Sequence, residues 1–332
     1  MRLTVEEGAL IRTRLTELFH LAHPILSAPM ARAGGGRLAA AVSRAGGLGL
    51  IGGGYGDEAW IAREFDRAGD AADGCGLITW ALADNARVLD LVLDRRPRAV
   101  LLSFGDPAPF ASRIAQAGVA LIVQVQTLRD ARRAAECGAE VIVAQGAEAG
   151  GHGRTRGPMT LVPEIEDWLA EHASHVVLVA AGGIADGRGL AAALMLGAEG
   201  AMVGSRLWAS REALAPDAMH AAAIAATGDE TLRTRAPDIA RGVAWPPEYT
   251  ARVLANAFTD RWHDDPEGLA AAARIEGPRW QSAFDEGDPQ RSNTFVGEAA
   301  GLISAIRPAG DLVSEMAAEA AALLGGGWAL RR

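Results

Sequence analysis

Short runs of apolar residues alternate with segments of helical spacing between residues 24 and 205. Eight runs have the length and β-branched content of buried strands: PILSA (24–28), LGLIG (48–52), CGLIT (75–79), AVLLS (99–103), ALIVQV (120–125), VIVAQ (141–145), VVLVA (176–180) and GAMVG (200–204). The segments between them repeat apolar residues at helical spacing, and several end in glycine, the usual stop signal of a helix. The pattern therefore predicts eight successive strand–helix units.

Continuous apolar strands separated by helices are typical of a parallel sheet that helices cover on both faces. Eight units in about 180 residues favour a (β/α)8 TIM barrel, an α/β fold, and a doubly wound open sheet is the alternative. In a barrel, the loops after the strands build the active site. QGAEAGGHG follows the sixth predicted strand, AAGGIADG the seventh and GSR the eighth, so glycine-rich loops lie where chemistry is expected.

The pattern of the chain changes after residue 211. Residues 212–290 contain many alanines, three tryptophans and no strong strand, and we interpret them as a smaller, mainly helical insertion near the C-terminus that packs over the barrel mouth. The barrel itself is assigned to residues 1–211. Residues 291–332 provide two more predicted helices, which we expect to return to the barrel wall.

Composition limits the partners of the chain. The 332 residues carry a formal net charge of -9 and no basic stripe, so the chain has no electrostatic footprint for nucleic acid. No apolar run reaches the roughly 18–20 residues of a membrane helix, and the N-terminus lacks the apolar core of a signal peptide. Cys75 and Cys137 form neither a disulfide framework nor a CxxC pair. We expect a cytoplasmic protein that binds neither nucleic acid nor membranes, and a homo-oligomer remains open.

Several common kinds of cofactor chemistry are disfavoured. All 32 basic residues are arginine, and the absence of lysine excludes Schiff-base chemistry and the Walker A phosphate loop. The phrase GxGxxG occurs at Gly47, Gly49 and Gly52, but it lies within a predicted strand. A dinucleotide-binding fingerprint belongs in the turn between a strand and a helix, so we do not expect a Rossmann site.

The loops after the seventh and eighth strands carry the signal of a phosphate site. Barrels commonly bind phosphate there, through backbone N–H groups and the N-terminus of a short helix. Gly182 and Gly183 would let the backbone approach an anion closely, and Gly204 and Ser205 would supply further amides and a hydroxyl. The alternative is two tight turns in which glycine serves only the geometry. At the end of the first strand, Met30 offers a soft surface suited to a flat ring.

His152 differs in its setting from the other six histidines, because it follows a strand at the expected catalytic face, inside a glycine-rich loop. The other six lie at a helix end or in polar and boundary contexts without a partner motif. A structural role is the alternative for His152. We expect no metal site, since no second histidine or carboxylate stands at ligand spacing in a regular element.

Several phrases together resemble the nitronate monooxygenase (2-nitropropane dioxygenase-like) family. They are APM (28–30), AQGAEAGGH (144–152), AAGGIADG (180–187), GSR (204–206), APDIARGVAWPPEYTARVLANAFTDRW (236–262) and GEAAGLISAI (297–306). The resemblance spans most of the chain. It implies a TIM barrel with a smaller lid, which binds FMN without a covalent link.

The resemblance also implies roles for residues at the barrel mouth. The FMN phosphate would lie against Gly182, Gly183, Gly204 and Ser205, and His152 would face the substrate across the flavin. The isoalloxazine would lie along the backbone around Ala28 and Met30, with Gln145. Further residues expected to bind the cofactor are Pro29, Thr79, Gln124, Gly146, Gly151 and Ala181. Thr79 marks a departure from the family pattern, because many members carry an asparagine in this third-strand loop.

The implied activity is the oxidation of alkyl nitronates, and of neutral nitroalkanes, by O2 to carbonyl compounds and nitrite. The flavin would carry the redox chemistry, while the imidazole of His152 takes the α-proton of a nitroalkane or holds the nitronate. Two alternatives stay open. One is an NAD(P)H-dependent FMN reductase that acts on quinones or enoyl thioesters, since such enzymes are relatives of this family. The other is a flavin-binding protein without turnover.

Overall fold

Eight parallel strands form the centre of the molecule in a computed structural model, which describes residues 4–5, 11–71 and 73–326. The strands are β1 (Ile25–Ser27), β2 (Leu50–Gly54), β3 (Gly74–Ile78), β4 (Ala99–Ser103), β5 (Ala120–Val125), β6 (Val141–Gln145), β7 (Val177–Ala181) and β8 (Ala201–Val203). They neighbour one another in chain order, and β8 pairs with β1. A parallel bridge between Leu26 and Leu48 joins β1 to the start of the β2 segment. The predicted TIM barrel is therefore confirmed, and the doubly wound sheet was the wrong alternative.

Helices surround the barrel. They are Gly36–Arg44, Glu58–Ala68, Arg87–Asp94, Ala108–Gln116, Leu128–Glu136, Pro158–His172, Gly187–Met195 and Ala309–Leu324. The last of these packs against Gly187–Met195 and Gly36–Arg44, so it closes the helical ring from the far end of the chain. Of the two helices predicted in the C-terminal segment, this one is an α-helix. The other, Glu298–Leu302, is a 3₁₀-helix.

Alternate residues of the strands fill two different parts of the core. Leu50, Leu101, Ile122, Val143 and Val179 point into the barrel and are fully buried there. The residues between them face the surrounding helices, in a second and larger apolar layer. Because both faces are buried, each strand is a continuous apolar run, and this explains why the observed strands begin and end within two residues of the predicted ones.

The loop after β1 crosses the barrel mouth, and glycines in two neighbouring strands make room for it. A Cβ atom on Gly76 would overlap the ring of Pro29, and one on Gly52 would overlap the carbonyl oxygen of Met30. Gly49, which belongs to the GxGxxG phrase, packs against the carbonyl of Ala39 in the first helix. These glycines serve close packing around a barrel strand, and their phrase is not a dinucleotide fingerprint.

The insertion combines helices with a small sheet. Its helices are Asp217–Ala225, Ala236–Arg241, Ala257–Trp262 and Pro266–Glu286. Two strands, Thr231–Thr234 and Thr250–Leu254, pair antiparallel, and the second also pairs with Gly151–Gly153 in the loop after β6. The expectation that residues 212–290 hold no strong strand was therefore wrong. Both strands are short and partly polar, and the second is stabilised by a pairing partner about a hundred residues earlier in the chain.

No helix in the described part of the chain is both long enough and apolar enough to cross a membrane.

Candidate active site

His152 lies at the centre of the strand Gly151–Gly153, directly above the end of β6. Its backbone is opposite Ala251 of the insertion sheet, and Gly151 takes the left-handed conformation, with φ of +71°, that lets the chain turn into this strand. The side chain of His152 is only 9% exposed. The sequence thus places the imidazole at the barrel mouth, and main-chain pairing with the insertion fixes its position.

Asp238 of the insertion binds the imidazole. Nε2 of His152 lies 3.0 Å from Oδ1 and 2.9 Å from Oδ2 of Asp238, whose side chain is 5% exposed. Arg241, one helical turn later, donates to Oδ1 at 2.6 Å. The carboxylate is thus held between a ring nitrogen and a guanidinium, and the buried charge has a partner on each side.

An aromatic cluster encloses the imidazole. It consists of Tyr55, Trp80, Phe104, Trp245 and Tyr249. Trp245 stacks on His152 with the ring centroids 3.5 Å apart and the planes at 5°, and its Nε1 donates to the Tyr55 hydroxyl at 2.9 Å. Three members follow β2, β3 and β4, and the other two belong to the insertion. Rings from both parts of the chain therefore shield the imidazole from bulk water.

The environment of His152 favours a neutral imidazole at pH 7. Burial lowers its pKa below the ordinary value of 6.5, and the charges of Arg241 and Arg233 act in the same direction. The hydrogen bond and negative charge of Asp238 oppose this fall without cancelling it. A neutral imidazole can accept a proton, as a general base must.

Gln145, the last residue of β6, supports the loop of His152. Its Nε2 donates to the His152 carbonyl at 3.0 Å, and its Oε1 accepts from Gln126 Nε2 at 2.8 Å. The family resemblance implied that Gln145 lies along the isoalloxazine, and no motif in the sequence pointed to Gln126. In the structure the amide of Gln145 is engaged in holding the loop. Gln124, one residue before the end of β5, is buried nearby at the mouth.

The glycine turns after β7 and β8 lie beside one another at the mouth. Gly182 and Gly183 have φ of +102° and +74°, and a Cβ on Gly182 would lie 3.0 Å from the Gly146 carbonyl oxygen. A Cβ on Gly204 would lie 3.6 Å from Cβ of Ala28, whose N–H donates to Val203 in β8 at 2.9 Å.

Ser205 begins a short helix at the second turn, and its hydroxyl accepts from Gly297 N–H at 2.9 Å. The structure thus brings together most of the residues that were predicted to bind a cofactor. They are Ala28, Pro29, Met30, Gly146, Gly151, Ala181, Gly182, Gly183, Gly204 and Ser205.

Glu148 lies against the first glycine turn and was not singled out from the sequence. A Cβ on Gly183 would overlap its carboxylate. Burial raises the pKa of Glu148, the nearby Glu298 carboxylate adds to this rise, and Arg252 opposes it. This shift makes the carboxyl easier to protonate, and so lowers the electrostatic cost of an anion close to the turn.

Two observations test whether a flavin phosphate and ring fit this mouth. The hydroxyl of Thr79, at the end of β3, is buried and has no hydrogen-bond partner among the described residues. Buried polar atoms are normally paired, so this hydroxyl is available to a ligand. The two left-handed glycines give backbone N–H groups without side chains, a geometry suited to an anion. The residues therefore fit a flavin. No group of three metal-ligating side chains occurs within the described ranges.

A (β/α)8 barrel with glycine turns after β7 and β8 and a buried histidine after β6 defines a class of cofactor-binding barrel enzymes. The chain belongs to the nitronate monooxygenase family, whose profile matches residues 12–74 and 64–319. Nitronate monooxygenase from Neurospora crassa is 36% identical over 340 aligned residues, which cover 89% of this chain and 88% of that protein. The predicted family is confirmed, and the protein is an oxidoreductase of this flavin-dependent family.

Two solved structures share this fold along most of the chain. FabK from Thermotoga maritima matches with a TM-score of 0.83 and 30% identity over 95% of this chain and 98% of that one. A nitroalkane oxidase from Streptomyces ansochromogenes matches with a TM-score of 0.79 and 27% identity over 95% of this chain and 99% of that one. The likeness therefore includes the insertion as well as the barrel.

Proposed function

We propose that this enzyme uses FMN to oxidise alkyl nitronates, and neutral nitroalkanes, with O2 to carbonyl compounds and nitrite. The observation that carries the proposal is the buried imidazole of His152, held by Asp238 and Trp245 above a mouth with two glycine turns. Family membership supports the oxidation of nitronates. The choice of FMN rests on the phosphate site at the two glycine turns and on the position of the GxGxxG phrase at the start of a barrel strand, where it is not a dinucleotide-binding unit.

The glycine turns would hold the phosphate of the flavin. The N–H groups of Gly182 and Gly183 and the turn at Gly204 and Ser205 provide donors without bulky side chains. The ring would lie along the loop Ala28–Met30, which Gly52 and Gly76 allow to cross the mouth. Thr79, Gln124, Gln145, Gly146, Gly151 and Ala181 are the proposed further neighbours of the flavin. When bound, the flavin supplies the redox chemistry.

His152 would act on the substrate itself. Its neutral imidazole can take the α-proton of a nitroalkane, and the aromatic cluster keeps water from competing for the base. We propose that residues 212–290 form the lid over this site, because they supply Asp238, Trp245 and Tyr249. Cys75 and Cys137 are unpaired thiols, which supports a reducing compartment such as the cytoplasm.

The purified protein is expected to be yellow and to release FMN, not FAD, when it is denatured. Mixing with ethyl nitronate in air should consume O2 and form nitrite. Anaerobic NADH or NADPH should leave the flavin oxidised. A colourless protein that does not take up FMN would remove the cofactor assignment, while rapid bleaching by NADH with no nitronate turnover would favour the reductase. A yellow protein inert toward both would indicate a flavin-binding protein.

The pH dependence of turnover should report the ionisation of His152. With neutral nitroethane, kcat/KM should rise as the pH rises through the pKa of His152 and then level off, because only the neutral ring accepts a proton. Burial lowers that pKa below 6.5, so the acid limb should lie below pH 6.5. Steady-state rates between about pH 5 and 8 test this expectation. An acid limb above pH 6.5 would contradict the assigned environment.

A further inference from the structure

Asp238 contacts the proposed base from the insertion, 86 residues further along the chain. We propose that Asp238 is a positioning residue, which holds His152 in the tautomer with its proton on Nε2 and leaves Nδ1 to take the substrate proton. This inference rests on the proposed function in one respect, the role of His152 as base. The tautomer itself is a property of the protein and can be observed without turnover.

The hydrogen-bond geometry determines which ring nitrogen carries the proton. An ionised carboxylate only accepts hydrogen bonds, so a neutral His152 must donate its Nε2 proton to Asp238. The distances of 3.0 and 2.9 Å to the two carboxylate oxygens are nearly equal, and both oxygens are therefore directed at the same N–H. In a neutral imidazole the other nitrogen then has a free lone pair, and Nδ1 is the acceptor.

Two contacts from the insertion fix the ring in space. The stack on Trp245, at 3.5 Å and 5°, sets the plane of the imidazole. The bond to Asp238 sets its rotation within that plane. Trp245 is itself packed edge-on by Trp80 and Phe104, with centroids at 5.3 and 5.0 Å, so the stacking surface cannot rotate freely. A ring held in this way offers the same nitrogen to each substrate molecule.

The charge of Asp238 should have a measurable effect on the basicity of His152. Asp238 is the negative group in contact with the ring, while Arg241 and Arg233 contribute positive charge from the same insertion. Removal of the Asp238 charge leaves burial and the two arginines to act alone. Burial and the arginine charges each disfavour the imidazolium, so the His152 ring should become a weaker base.

The test compares Asp238→Asn with Asp260→Asn, an exposed carboxylate on another helix of the same insertion. Asparagine keeps the shape of the side chain and removes its charge. For neutral nitroethane, Asp238→Asn should lower kcat/KM about 10- to 100-fold, part of the roughly 10²–10⁴-fold typical of general-base catalysis. The acid limb of its pH profile should move to lower pH. Ethyl nitronate, which needs no deprotonation, should be oxidised within about threefold of the wild-type rate. Asp260→Asn should match the wild type throughout.

The outcomes separate a positioning role from a structural one. An unchanged pH profile with unchanged rates would overturn the proposal. An equal fall with both substrates, together with loss of flavin and of melting temperature, would also overturn it, because it would show that Asp238 only supports the fold.

A second measurement is independent of turnover. In protein labelled with ¹⁵N-histidine, the His152 signals are assigned by their loss in His152→Gln. At pH 7.5, Nε2 should be protonated and Nδ1 unprotonated, and Asp238→Asn should admit the other tautomer. A proton on Nδ1 in the wild type would refute the proposal. If the wild type oxidises no nitronate, the proposed function fails, whereas this spectrum still decides the tautomer.

Discussion

Replacement of His152 by alanine should slow the turnover of neutral nitroalkanes by roughly 10²–10⁴-fold, the usual contribution of a general base. Alanine has no group that can take the α-proton. A nitronate has already lost this proton, so its oxidation should decline far less. Steady-state rates with nitroethane and ethyl nitronate, measured on one preparation, test the difference.

A matched histidine provides the control for this experiment. His172 stacks on Trp168 with the ring planes also at 5°, but it lies at the end of an outer helix and its side chain is half exposed. His172→Ala should therefore leave both activities unchanged. FMN content and melting temperature should be recorded for each variant. An equal loss with both substrates in His152→Ala would point to binding of the anion instead of proton transfer, and undiminished activity would remove His152 from the mechanism.

Gly183→Val should empty the flavin site while the barrel stays folded. Gly183 has a φ of +74°, a conformation that costs a β-branched residue about 1–3 kcal/mol. The new Cβ would overlap the carboxylate of Glu148 and occupy the turn that we assign to the phosphate. The flavin absorbance per protein should fall to a small fraction of the wild-type value.

A control variant is needed to distinguish the effect of backbone strain from the loss of the flavin site. Gly138 has a similar φ of +81°, nothing lies within 4 Å of the position of its Cβ, and it follows an outer helix at the opposite end of the barrel from the turns. Gly138→Val should lower the melting temperature and retain the flavin. Full flavin content in Gly183→Val would show that this turn does not hold the phosphate.

The barrel could be predicted from the sequence because its strands are buried on both faces. The runs AVLLS, ALIVQV and VIVAQ match β4, β5 and β6 to the residue. A strand that is buried on both faces is apolar along its whole length, so the ends of the apolar run mark the ends of the strand. The glycine loops could be placed as well, because a barrel puts every loop after a strand at one end. His152 followed from that rule without any knowledge of its contacts.

The partners of His152 could not be predicted in the same way. Asp238 lies in a helix of six residues, between small and apolar neighbours, and nothing in its spacing relates it to a loop 86 residues earlier. It reaches the imidazole because Thr250–Leu254 pairs with Gly151–Gly153, a contact between distant and partly polar segments. Trp245 lies on the same part of the chain. The phrase APDIARGVAW, which resembles the family, was the one sequence signal that pointed to this segment. It did not assign a role to Asp238 or Trp245.

The strand pairing between the insertion and the loop of His152 restricts how substrate enters. Insertion and imidazole share one three-stranded sheet, so a lid that swung open as a rigid body would break the sheet or carry His152 away from the barrel. Entry should therefore depend on side-chain rotation at the exposed edge of the aromatic cluster, where Tyr55 is 37% exposed. Such rotations are much faster than hinge motions of whole domains. The space that these rings leave when they rotate would then limit the size of the nitro compounds that reach His152.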